Sequence, residues 1–228
     1  MNIAIIPARG GSRRIPKKNI KKFNGKPIIA WSIKCAKEAK IFNKIIVSTD
    51  DKKVARIAKK FGAEVPFIRS SRFSKDSVGI IEVVSEATKW LLKNNIKVKN
   101  VCCIFPTAPL MKPQDIRLGY KKLIKNNYQY VFSSTTFPSS IYRSLSFNKK
   151  NANLKICFPK KFNENSIFFY DAGQFYWGKK DTWIKKKKIF SSHSATVEIP
   201  RWRVQDINNS KDWIVAQKLF KGLKKNAN

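Results

Sequence analysis

The chain has 228 residues, with 48 Lys or Arg against 14 Asp or Glu, a formal net charge of +34. That length supports one sizeable core with at most a small appendage. No apolar run approaches the length that spans a bilayer, and residues 1–20 lack the charged-then-apolar order of a secretory leader.

The first expected element is a buried strand, Ile3 to Ile6. It breaks at Pro7 into a turn holding Gly10, Gly11 and Ser12 among the cations Arg9, Arg13, Arg14, Lys17 and Lys18. Glycine lets the backbone approach an oxyanion with its N–H groups pointing inward, and Arg and Lys neutralise a polyphosphate. Neither G-x-G-x-x-G nor the G-x-x-x-x-G-K loop occurs, so this is not an ordinary dinucleotide or Walker loop. From composition alone, a basic surface turn after the first strand is the plain alternative.

A helix over 28–39 follows on Ile29, Ile33 and Ala36, then a strand over 44–48 ending at Thr49-Asp50-Asp51, residues suited to cap a helix over roughly 52–61. Glu64 to Ile68 reads as a third strand, Arg69 to Ser77 as a polar loop, and Val78 to Lys93 as an amphipathic helix. A strand from Val101 to Phe105 leads into Pro106-Thr107-Ala108-Pro109, a helix from Pro113 to Lys125 and a strand from Tyr130 to Ser134. The rhythm predicts an α/β fold, a mostly parallel Rossmann-like sheet with helices on both faces, built from residues 1–136 and 199–228. Residues 137–198 read instead as an inserted antiparallel subdomain with strands Ile141 to Phe147, Leu154 to Phe158 and Ile167 to Trp177. A terminal helix over about 210–222 closes the chain.

The excess of Lys runs from end to end without a nucleic-acid recognition motif, which speaks for compositional drift and against a specific nucleic-acid partner. The run Lys185 to Lys188 reads as a solvated loop. Cys35, Cys102, Cys103 and Cys157 form no C-x-x-C pair, and Cys102 and Cys103 lie in an apolar run where buried, reduced thiols are expected. The expected setting is cytoplasmic, with no membrane partner. The single His193 has no nucleophile near it in sequence and reads as a loop residue.

In open parallel sheets the ligand lies beyond the carboxyl ends of the strands. The stretches that follow the proposed strands, Arg9 to Asn19, Thr49 to Asp51, Arg69 to Ser77 and Pro106 to Pro109, can line one cleft. These stretches resemble the CMP-sialic acid synthetase family, nucleotidyltransferases that activate ulosonic acids as CMP-sugars. The opening turn is similar to the family's P-A-R-G-G-S-K-x-I-P-x-K-N loop, with Arg9, Gly10, Gly11, Ser12, Pro16, Lys18 and Asn19 matching and Arg13 in place of the usual Lys. Ser48-Thr49-Asp50-Asp51, Gly62 to Arg69, Asp76 and Pro106-Thr107-Ala108-Pro109-Leu110 resemble further family motifs. The resemblance implies that CTP is bound by Ala8, Arg9, Gly10, Gly11, Ser12, Arg13, Lys18, Asn19, Arg69 and Asp76.

The resemblance also bears on the sugar and the metal. N-acetylneuraminate enzymes carry Gln before P-T-S-P, whereas this chain has Phe105, which cannot make an amide's hydrogen bonds. Tyr170-Asp171-Ala172-Gly173-Gln174-Phe175-Tyr176-Trp177 is similar to the D-A-G-Q-F-Y-W signature of pseudaminic acid cytidylyltransferases. Phe105, Thr107, Asp171, Gln174 and Tyr176 are thus the expected sugar-side residues, with legionaminic, N-acetylneuraminic and 3-deoxy-octulosonic acids as alternative acceptors. The same aromatic segment reads equally as a strand packing a dimer, and the family's appendage implies a homodimer. Asp206-Ile207-Asn208 stands where the family has D-I-D, so Mg²⁺ would be held by Asp206, with Asn208 a weaker donor than Asp. From the residues alone, helping to cap the last helix is the plain alternative for Asp206. The catalytic set implied is Arg9, Lys18 and Asp206, working by positioning and electrostatics.

Overall fold

The computed structural model describes residues 1–148, 150–157 and 166–225. Its centre is a six-stranded sheet of β1 (Asn2–Pro7), β2 (Lys44–Ser48), β3 (Asn100–Ile104), β4 (Tyr130–Thr136), β5 (Phe169–Lys179) and β6 (Ser194–Glu198), in the order β6-β4-β5-β3-β1-β2. β1 pairs in parallel with both β2 and β3, and β6 pairs in parallel with β4. Only β5 runs antiparallel, between β3 and β4, with Ile104 opposite Phe175 and Tyr130 opposite Gly178.

Strands buried on both faces must be apolar at every position, and β1 shows how this works. Ala4 and Ile6 point into a core shared with α1 (Ile28–Ala39), α2 (Lys52–Lys60) and α4 (Pro113–Lys125). Ile3 and Ile5 point into a second core against α3 (Ile80–Lys93) and the short α5 (Lys180–Ile184). The same alternation splits β5: Phe175 and Trp177 fill the first core and Tyr176 the second. Gly119 of α4 permits this packing, since a Cβ there would lie 2.8 Å from both the Phe175 and Trp177 rings. Phe175 and Trp177 are therefore sealed within this chain and are not surface for a dimer.

A third cluster joins α6 (Ser210–Lys225) to the loop side of the sheet. Phe23, on a small hairpin over 22–27, meets Trp213 and Phe220 edge-on with ring centroids 5.3 and 5.5 Å apart, and Ile15, Leu110 and Ile207 pack with them. This cluster lays the C-terminal stretch beside the turn that follows β1.

Three expectations are corrected. Glu64 to Ile68 is not a strand: it is joined by isolated bridges, Glu64 to Ile46 of β2 and Ile68 to Thr49 just beyond it. Pro66 between them has no N–H to continue a ladder. The segment 137–198 is not an inserted unit as a whole, because β5 and β6 belong to the main sheet. What stands apart is a hairpin, Leu145–Asn148 with Asn153–Ile156. Ile141–Arg143 is a 3-10 turn, so the expected strand begins later, and Phe158 lies outside the described residues. On that hairpin Leu145, Phe147, Leu154 and Ile156 are all exposed. No helix among the described residues is long and apolar enough to cross a membrane. Cys35, Cys102 and Cys103 are free and buried, and Cys157 is free and exposed. His193 is an exposed loop residue whose carbonyl accepts from Gln129 N at 2.9 Å.

Candidate functional site

The carboxyl ends of β1, β2, β3 and β4 open on one edge of the sheet, and the turn after β1 is folded back over it by local hydrogen bonds. Ala8 N donates to Ser48 O (2.9 Å), continuing the pairing with β2, and the chain then turns away. Gly10 N donates to Asp50 Oδ1 (2.8 Å), and Asn19 Nδ2 donates to Arg9 O (2.8 Å). Asp51 caps α2, accepting from Lys53 N (2.6 Å) and Val54 N (3.1 Å). Gly10 lies directly against that cap, and a Cβ on it would sit 2.7 Å from Asp51 Oδ2.

The turn forms one wall of an open cleft of about 500 Å³. Arg9, Ser12, Arg13, Arg14, Lys18 and Asn19 line it from the turn, Arg69, Lys75 and Asp76 from the loop before α3, and Phe105 and Thr107 from the end of β3. Val78, Ile80 and Val83 add an apolar side. Asp76 bridges two guanidinium groups, bonded to Arg9 through one oxygen and 3.1 Å from Arg13 Nη2 through the other. Arg69 is 4% exposed. Its Nη2 lies 3.8 Å from Asp50 Oδ1 and its Nε has no partner. Burial draws the Arg69 guanidinium below its usual value, opposed by the charges of Asp50 and Glu86. Six cations and one carboxylate face a partly apolar wall, a lining that suits a molecule with a polyanionic tail and a flat, weakly polar head.

Among the expected nucleotide residues, Arg9, Ser12, Arg13, Lys18, Asn19, Arg69 and Asp76 meet in this cleft. Ala8 is buried, and Gly10 and Gly11 are not among the residues that line the cleft, Gly11 being exposed and Gly10 packed against Asp51. Arg14 and Lys75 fall in stretches expected to line the cleft but were not among the expected nucleotide residues, and the Val78, Ile80, Val83 wall was not foreseen. Arg14 lay in the same basic turn and was discernible by its charge, whereas the wall depends on where α3 begins.

The C-terminal stretch reaches the cleft through Lys18, whose Nζ donates to Ile207 O (2.7 Å). Burial lowers the proton affinity of Lys18. The charge of Asp206 opposes this, and those of Arg14 and Arg9 reinforce it. Asp206 is exposed and accepts from Asn208 Nδ2. It does not cap α6: Asn209 Oδ1 accepts from Lys211 N (2.8 Å) and Asp212 N (3.1 Å), while Asp212 Oδ2 accepts from Asn208 N (2.8 Å) and Asn209 N (2.9 Å). No group of three or more His, Cys, Asp or Glu among the described residues makes a ready cage for a metal. A magnesium-type ion asks for only one or two carboxylates when phosphate oxygens complete its shell. An exposed Asp206 beside the cationic turn, with an amide two residues on, fits that demand.

The residues expected on the sugar side divide. Phe105 and Thr107 line the cleft. Tyr176 is the wall behind Phe105, the two rings meeting edge-on at 5.1 Å, and its hydroxyl donates to Asp171. Burial raises the proton affinity of the Asp171 carboxyl, the hydrogen bonds from Tyr176 and Gly173 N hold it down, and the charge of Asp206 adds to the rise. Asp171 also lines a second cavity of about 500 Å³ with Phe132, Phe169, Phe190 and Thr196. Gln174 reaches neither space: it is 3% exposed, and its Nε2 donates to Arg203 O (2.7 Å).

A family model described as Cytidylyltransferase matches residues 3–216. The pseudaminic acid cytidylyltransferase of Campylobacter jejuni subsp. jejuni is 36% identical over 223 residues, covering 96% of each chain. The CMP-N,N'-diacetyllegionaminic acid synthase of Legionella pneumophila is 37% identical over 115 residues, half of each chain. Among solved structures, a CMP:2-keto-3-deoxy-manno-octonic acid synthetase complexed with CTP shares the fold. Its TM-score is 0.72 at 15% identity, covering 97% of this chain and 99% of that one.

Proposed function

The chain belongs to the cytidylyltransferase family, and from that premise we propose that it transfers CMP from CTP to the anomeric hydroxyl of a nonulosonic acid, pseudaminic acid, releasing pyrophosphate. The observation that carries the reading is the lining of the main cleft: Arg9, Arg13, Arg14, Lys18, Arg69 and Lys75 around a space with one apolar side. The triphosphate lies along the cations and the cytosine against Val78, Ile80 and Val83. The acceptor approaches past Phe105 and Thr107. The sugar hydroxyl attacks the α-phosphorus in line, forming the new P–O bond as the bond to the bridging oxygen of the β-phosphate breaks; the hydroxyl proton passes to solvent water, and pyrophosphate leaves with the electron pair of the broken bond. Arg9, Arg13 and Lys18 face the charge on the departing pyrophosphate, and positioning and electrostatics supply the catalysis.

The family works with a divalent cation. In this chain Asp206, with the amide side chain of Asn208 beside it, would hold Mg²⁺, which supplies further neutralisation of the triphosphate when bound. Sugar choice rests on Phe105, Thr107, Tyr176 and Asp171. Tyr176 packs on Phe105 from the cleft side and on Phe132 and Phe190 from the second cavity. That cavity suits the apolar substituents of a deoxygenated, acylated sugar. Gln174 acts only through the backbone it holds.

The exposed hairpin supports a homodimer. Leu145, Phe147, Leu154 and Ile156 are each 57–63% exposed, and a two-stranded ribbon is marginal in water unless packed on something. A second copy of the chain is the partner proposed.

The test supplies purified protein with CTP, Mg²⁺ and, in separate reactions, pseudaminic, legionaminic, N-acetylneuraminic and 3-deoxy-octulosonic acids, and measures pyrophosphate. Release above the sugar-free control is expected with pseudaminic acid first. Arg9→Ala should lower the rate by about 100-fold or more while leaving the circular dichroism spectrum unchanged. Failure of every sugar to release pyrophosphate sinks the reading.

A further inference from the structure

The stretch from Val204 to Asn208 has no regular secondary structure, yet it carries Asp206. It is held at both ends by contacts that reach distant elements, buried upstream and part-buried downstream. Upstream, the Arg203 guanidinium makes a two-pronged pair with Asp115 of α4, Nη1 to Oδ2 at 2.5 Å and Nη2 to Oδ1 at 3.0 Å. The two side chains are 8% and 12% exposed. Asp115 is itself held by Lys112 N (3.2 Å) in the first turn of α4. The Arg203 carbonyl accepts from Gln174 Nε2 of β5. Downstream, Ile207 O accepts from Lys18 Nζ.

A buried ion pair seldom adds net stability, because removing both charges from water costs about as much as their attraction returns. The fork of an arginine on a carboxylate does fix direction, since two parallel bonds leave little rotational freedom. We propose that Arg203, held by Asp115 and with its carbonyl held by Gln174, is a positioning residue that sets the reach of Asp206 toward the phosphate turn. The proposal rests on Asp206 as the metal-binding carboxylate. It assigns Gln174 a task different from sugar contact: its amide faces the Arg203 backbone, and its Oε1 is buried without a partner.

The experiment measures Mn²⁺ bound in the presence of CTP, without sugar, by the electron spin resonance of the free ion. It also measures amide hydrogen exchange over 204–208 without metal. Arg203→Met is expected to weaken Mn²⁺ about tenfold, to speed exchange in that stretch, and to leave metal-free CTP affinity within about twofold. Arg203→Lys, which keeps the charge and loses the fork, should fall between Met and the wild type. Gln174→Met removes one hydrogen bond and fills the same space, so it folds even if Arg203→Met does not, and it should weaken Mn²⁺ about threefold. Variants that fold and match the wild type in both Mn²⁺ binding and exchange would overturn the proposal. A wild-type protein that binds CTP but takes up no Mn²⁺ alongside it would overturn the role of Asp206 itself, a different failure.

Discussion

The adjacent glycines of the turn offer a sharp test, because the structure treats them differently. A methyl on Gly10 would lie 2.7 Å from Oδ2 and 2.8 Å from Cβ of Asp51, whereas a methyl on Gly11 meets nothing within 4 Å. Ordinary contact begins near 3.5 Å, so Gly10→Ala must move the turn or Asp51 by about 0.7 Å. If Asp51 moves, α2 loses its cap, at about 1 kcal/mol, and the melting temperature falls by about 2–4 °C for a chain of this size. If the turn moves, Arg9 and Arg13 shift against the triphosphate, and a misplacement approaching 1 Å costs up to about 100-fold in rate. Gly11→Ala meets no clash and removes freedom from the unfolded chain, so it should be neutral or stabilising by about 0.4–1 kcal/mol. The assays are thermal denaturation followed by far-ultraviolet circular dichroism and kcat/KM for CTP. A Gly10→Ala protein that melts with the wild type and keeps its kcat/KM would show that contact with Asp51 does not fix the turn.

Two further outcomes follow from the charges in the cleft. Burial, the largest influence, lowers the proton affinity of Lys18 from its usual 10.5. Below the folded-state value the lysine is charged in both states. Between that value and 10.5 the unfolded chain binds more protons, so its contribution to stability rises with pH while its attraction for phosphate is lost. The alkaline limb of kcat/KM for CTP should therefore start below 10.5, and Lys18→Arg should move it upward; a profile flat to that pH contradicts the assignment. Asp76→Asn frees Arg9 and Arg13 from a half-exposed carboxylate and should tighten metal-free CTP binding by about two- to fivefold, the scale of surface ion pairs. Weaker binding in calorimetry would mean that Asp76 contacts the nucleotide directly.

Local sequence carried much of the fold, and the failures share one cause. Helices α1 and α4 and strand β2 have the expected bounds, because an apolar face at helical spacing, or an unbroken apolar run, depends only on neighbours in sequence. The alternation of Phe175, Tyr176 and Trp177 likewise identified a strand. What it could not state is the partner, and β5 enters antiparallel between β3 and β4, more than thirty residues from either in the chain. Strand β6 was missed because Ser-Ala-Thr-Val-Glu has too few apolar residues to stand out, and it exists by pairing with β4.

The site divides along the same line. Arg9 to Asn19 was visible because the cations and glycines lie in one turn. The link from Lys18 to Ile207 joins residues 189 positions apart, and its cause is the packing of α6 on Phe23, which no motif contains. The placement of β5 also explains Gln174. Once that strand pairs with β3, Phe105 N donates to Gln174 O (3.0 Å), and the Gln174 side chain faces the Arg203 backbone, away from the cleft. Three parts of the chain thus bear on the phosphate turn through one strand whose neighbours the local pattern could not specify: the end of β3, the β5 signature and the stretch leading to Asp206.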